Sequence, residues 1–91
     1  MKTRAHIVVS GKVQGVFFRQ TTKHEADSLG VKGWVRNLPD ARVEAVFEGE
    51  EDVVKMVVDF VKQGPARAKV SAVDLVWEEY TGEFRRFTIK Y

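Results

Sequence analysis

The chain has 91 residues, 44% hydrophobic and 31% charged, which fits one globular domain spanning residues 1–91 and excludes disordered and fibrous classes. Fifteen basic residues against 13 acidic ones leave a net charge of only +2, too small and too interleaved to argue for nucleic acid or an anionic membrane as partner. The absence of cysteine excludes disulfides, thiolate metal sites and a cysteine nucleophile.

The run MKTRAHIVVSGK lacks the long apolar stretch of a signal peptide, and no segment is long enough to span a bilayer. The expected location is therefore the cytoplasm. RAHIVVSGKV alternates and is rich in β-branched residues, with Ala5, Ile7 and Val9 on one face; it predicts a strand that stops near Gly11. From Phe18 to Leu29 the period changes. Phe18, Thr22, Ala26 and Leu29 recur at spacings of three and four, and Gly30 ends the run, which predicts a helix.

VKGWVRN returns to strand character. LPDA supplies turn chemistry, and RVEAVFE is a second arm with Val43, Ala45 and Phe47 on one face, expected to break at Gly49. EEDVVKMVVDFVKQGP sets valine propensity against length. Its early acids, late lysine and closing Gly-Pro predict a helix, with Val54, Val57, Val58 and Val61 on one stripe. AKVSAVDLVWEEY is a long strand, TGEF a turn, and RFTIKY a short last strand.

This order predicts an α+β, ferredoxin-like βαββαβ sandwich: an antiparallel sheet with two helices on one face, plus a short C-terminal strand. No repeat, linker or low-complexity segment interrupts it.

The stretch GKVQGVFFRQ joins the first strand to the first helix. Gly15 permits positive φ and presents no Cβ to a ligand. The first amides of a helix have no internal partners, and the dipole makes that end electropositive. The loop is thus a candidate anion cradle, and Arg19 in the first helical turn carries a planar fork suited to two oxygens of one phosphate. A plain glycine loop with a solvated arginine is the alternative. Asn37, the only asparagine, ends a strand just before a turn and can donate and accept hydrogen bonds together, or simply serve the turn. His6 and His24 form no spaced metal cluster, and the acids of EGEED are explained by the helix dipole. No metal site and no cofactor are expected.

Together, GKVQGVFFR and GWVRNLPDARVE resemble the motifs of the acylphosphatase family. The first is similar to its glycine-x-valine-glutamine-glycine-valine loop followed by an aromatic and arginine, and the second to its glycine-aromatic-x-x-asparagine segment. The resemblance covers nearly the whole chain. It implies hydrolysis of acyl phosphates to carboxylate and inorganic phosphate, without a metal and without a phosphoenzyme. It also implies that Arg19 binds the substrate phosphate, that Asn37 orients the attacking water, and that the amides of Gln14, Gly15, Val16, Phe17 and Phe18 form the phosphate-binding loop. The expected partner is a small-molecule acyl phosphate, and the expected state a monomer.

The chain departs from the family at Ala41, where glycine is usual. If that position is left-handed, alanine costs about 1 kcal/mol. Two other readings remain. One is a phosphate- or RNA-binding module of the same fold without catalysis, for which Trp34 and Trp77 are the candidate stacking residues. The other is a domain like those found within larger carbamoyl-transfer proteins.

Overall fold

Apolar side chains fall on alternate positions of the strands and on one stripe of each helix, and the fold brings these faces together. The computed structural model describes all residues from Met1 to Tyr91. The elements are β1 (Lys2–Lys12), α1 (Phe18–Ser28), β2 (Lys32–Asn37), β3 (Val43–Glu50), α2 (Glu51–Gln63), β4 (Lys69–Glu78) and β5 (Phe87–Lys90). The strands form one sheet in the order β4-β1-β3-β2-β5.

The first four strands pair antiparallel, and β5 runs parallel to β2, so the sheet is mixed rather than wholly antiparallel. The reason is a crossing. β4 lies at one edge and β5 at the other, and residues 79–86 traverse the end of the sheet between them. Glu48 fastens this crossing. It is only 2% exposed, and it accepts hydrogen bonds from the Thr81 amide at 2.9 Å, the Thr81 hydroxyl at 2.8 Å, the Gly82 amide at 3.1 Å and Arg4 at 3.1 Å. Burial raises the cost of its charge, but these donors outweigh it and hold its carboxyl below the usual range.

The core face of β1 carries Ala5, Ile7 and Val9, that of β3 Val43, Ala45 and Phe47, and all are buried. Phe47 stacks on Phe87 of β5 with ring centroids 5.5 Å apart. The helices cover this face. In α2 the buried residues are the predicted Val54, Val57, Val58 and Val61. Burying a valine side chain is worth about 1.5–3 kcal/mol, whereas its helix-propensity penalty is under about 0.7 kcal/mol, so burial decides the conformation. In α1 the buried residues are Phe18, Thr22 and Ala26, with Leu29 packed against the core from just beyond the helix. Gly49 does not break β3: it pairs with Thr3, and the strand continues to Glu50 before α2 begins.

Candidate active site

The carboxyl-terminal ends of β1 and β2, the start of β3 and the start of α1 meet at the end of the sheet opposite Glu48. Here the β1–α1 connection is shaped by its two glycines for different reasons. Gly11 lies where the β1–β4 register shifts, and a Cβ there would collide with the Lys69 carbonyl oxygen. Its service is to strand packing. Gly15 has φ 74°, with open space where a Cβ would stand, as a loop that admits a ligand requires.

Val16 and Phe18, 6% and 2% exposed, anchor the loop in the core. Phe17 between them is left-handed, with φ 59°, and stands 67% exposed. The amides of Gln14 to Phe17 bond to no backbone acceptor in the protein. The helical ladder begins only with the Thr21 amide on the Phe17 carbonyl, at 3.0 Å, so the amides of Phe18, Arg19 and Gln20 lie ahead of it. The result is a run of donors at the electropositive end of α1.

A cavity of about 190 Å³ opens over these donors, lined by Val13, Gln14, Gly15, Phe17, Phe18, Arg19, Gln20 and Asn37. The structure therefore brings Arg19, Asn37 and most of the predicted loop to one place. Val16 is the exception: its side chain belongs to the core and does not line the cavity. Val13 and Gln20 line it without having been singled out in the sequence; the only signal for Gln20 was its place beside Arg19 in the first turn of α1.

Gln14 does more than lend an amide. Its side-chain nitrogen donates to the carbonyls of Leu38 and Arg42, both at 2.9 Å, and so ties the loop to the hairpin that carries Asn37. That hairpin turns through Ala41, whose φ is 75°, and is closed by the Leu38 amide on the Arg42 carbonyl at 2.8 Å. The Arg19 guanidinium lies 4.8 Å from the centroid of the Tyr91 ring, and one nitrogen reaches the Lys90 carbonyl at 3.5 Å. Sequence reasoning missed this support, because a contact between α1 and the end of β5 leaves no local pattern.

Other charged side chains of these strands lie elsewhere. Lys12 is exposed and does not line the cavity. Arg36 and His6 share Glu44 on the opposite face of the sheet, each at 2.7 Å. Arg36 and Lys90 also sit over the Trp34 ring, at 5.3 and 4.3 Å, so that ring is already covered by the protein's own cations. Trp77 lies on the edge strand β4, paired with Ala5 and thus on the helix side. The two tryptophans do not share a face on which bases could stack. No side chain group of three or more metal-ligating residues forms a cluster.

The fold and cavity define an α+β sandwich in which one loop, one arginine and one asparagine converge on one opening. A family model for acylphosphatase matches residues 5–89. An acylphosphatase of Pelotomaculum thermopropionicum is 52% identical over 90 residues, covering 99% of this chain and 98% of that relative. Among solved structures, the acylphosphatase of Bacillus subtilis superposes with a TM-score of 0.92 at 37% identity, with all of both chains covered. The structure of an acylphosphatase from Coxiella burnetii gives a TM-score of 0.91 at 37% identity, covering 98% of this chain and 93% of that one. The chain belongs to the acylphosphatase family and is an enzyme of that class.

Proposed function

We propose that the chain hydrolyses the carboxyl–phosphate bond of small acyl phosphates by direct in-line attack of water. The observation that carries this reading is the convergence of Arg19, the β1–α1 amides and Asn37 on one cavity. The phosphoryl oxygens take up the loop amides and the Arg19 fork, which stabilise the charge that spreads over them in the transition state. Asn37, at the end of β2, holds the attacking water in line with the bond to be broken. The leaving group is a carboxylate, which departs without a strong general acid.

Apart from Arg19, the side chains lining the cavity carry no titratable group. The proton of the attacking water therefore passes to a phosphate oxygen of the substrate. A flat pH–rate profile through neutrality agrees with this; a limb that demands an enzyme group with a pKa near 7 contradicts it. The enzyme acts as a cytoplasmic monomer and needs no metal.

The test is hydrolysis of benzoyl phosphate with a chelator present. Wild type turns over. Arg19→Ala loses both turnover and inhibition by inorganic phosphate, and Arg19→Lys restores neither fully, because an ammonium lacks the planar fork. Asn37→Ala loses turnover by about 100-fold or more while phosphate still inhibits. Equal loss of phosphate affinity in the Arg19 and Asn37 variants overturns the division of roles. No hydrolysis by folded wild type overturns the reading itself.

A further inference from the structure

Phe17 is the one loop residue whose side chain, given its backbone conformation, the phosphate half of the reaction does not explain. Its φ of 59° and ψ of 26° lie in the left-handed region, which disfavours any L side chain and a bulky one most. Val16 and Phe18 already fix the loop to the core. Glycine at position 17 would supply the same amide with no strain. At 67% exposed, the phenyl ring gains little from the fold in return. Strain held at a functional site without a packing benefit points to a ligand.

The geometry gives that ligand a direction. Phosphate seated on the loop amides and Arg19 leaves its acyl substituent to extend outward through the mouth of the cavity, where Phe17 stands. Arg19 is the only charged side chain in the lining, so a second anionic group on the acyl portion would find no second cation there. What the mouth offers instead is an aromatic face.

We infer that the Phe17 ring is a specificity-determining platform that packs against the acyl group and selects acyl phosphates with apolar or aromatic acyl portions over small or polar ones. The inference rests on the acyl phosphate reading above. Contact between the two rings would strengthen binding of an aryl acyl phosphate without touching the phosphoryl group, so its effect appears as selectivity between substrates.

The experiment compares kcat/KM for benzoyl phosphate and acetyl phosphate in wild type, Phe17→Gly, Phe17→Leu and Phe17→Tyr. The ratio of the two values cancels any change in phosphate binding, because both substrates share that half. The ratio should fall about 5–10-fold in Phe17→Gly, fall part of that way in Phe17→Leu, and hold in Phe17→Tyr. Phe17→Leu keeps the backbone strain and loses the ring, which separates the two causes. A ratio unchanged in Phe17→Gly, or a loss shared equally by both substrates, overturns the platform while leaving the activity established. Absence of hydrolysis of either substrate by wild type overturns the acyl phosphate reading instead.

Discussion

Replacing Ala41 by glycine should make the protein more stable. Ala41 has φ 75° in the β2–β3 turn, where its amide bonds to the Leu38 carbonyl at 3.2 Å, and its methyl group is exposed. The left-handed conformation costs an L-residue about 1–2 kcal/mol that glycine escapes. Against this, glycine gives the unfolded chain more freedom, worth about 0.4–1 kcal/mol. The exposed methyl group contributes little packing, so the difference, about 0.5–1 kcal/mol in favour of glycine, should reach the measured stability. For a domain of this size that is a rise in Tm of about 2–8 °C. Thermal melts followed by far-ultraviolet circular dichroism read it directly, and Ala41→Val should shift Tm the other way. Turnover should not change, since the Gln14 bridge and the pairing of Asn37 with Val43 are untouched. An equal or lower Tm in Ala41→Gly would refute the strain argument, because it would mean that the alanine was not held in a left-handed turn in solution.

Gln14→Ala removes two hydrogen bonds to the hairpin and should cost about 1–3 kcal/mol, with turnover falling as Asn37 loses its register with the loop; a drop in Tm at full turnover would reduce the bridge to a purely structural role. Glu48→Gln should destabilise the fold by about 1–3 kcal/mol at neutral pH, because an amide cannot accept from all the donors that the carboxylate satisfies. The folded carboxyl lies below its ordinary value, so its stabilisation is complete above that value and is lost as pH falls through the folded one. Tm measured from neutral pH into that acid range should therefore fall more steeply in wild type than in Glu48→Gln, and parallel curves would show that Glu48 contributes no such pH dependence.

The elements were legible because their periods are strong. The valine stripe of α2 overrode the β-propensity of its residues, as the length and end signals indicated, and the buried set is the one the pattern names. The parallel placement of β5 was not legible. It depends on residues 79–86 crossing the end of the sheet, and that path is fixed by Glu48 meeting Thr81 and Gly82, a contact between positions more than thirty residues apart. The candidate site was legible as two motifs but not as one cavity. Local chemistry places a glycine loop and an arginine at a helix start, whereas only the strand order β1-β3-β2 sets Asn37 beside them. The side chain of Gln14 and the approach of Tyr91 to Arg19 are tertiary contacts with no periodic trace. Ala41 is the converse case: a single departure from the family's usual glycine raised a left-handed turn as one possibility, and its φ of 75° is that conformation.

The way Arg19 is held bears on what it can do. Arg4, Arg36 and Arg42 are each paired with a carboxylate, at 2.7 to 3.1 Å. None of the ion pairs includes Arg19. Its restraints are the face of Tyr91 and the carbonyl of Lys90. A carboxylate partner would fix the guanidinium equally well but would cancel its field at the cavity and compete with an incoming phosphoryl group for the same fork. An aromatic face and a carbonyl position the cation without neutralising it, which is what the proposed role of Arg19 in phosphate binding requires. Added to the unpaired amides ahead of α1, this makes the cavity electropositive, and under the proposed function little reorganisation would then be needed as charge develops on the phosphoryl oxygens.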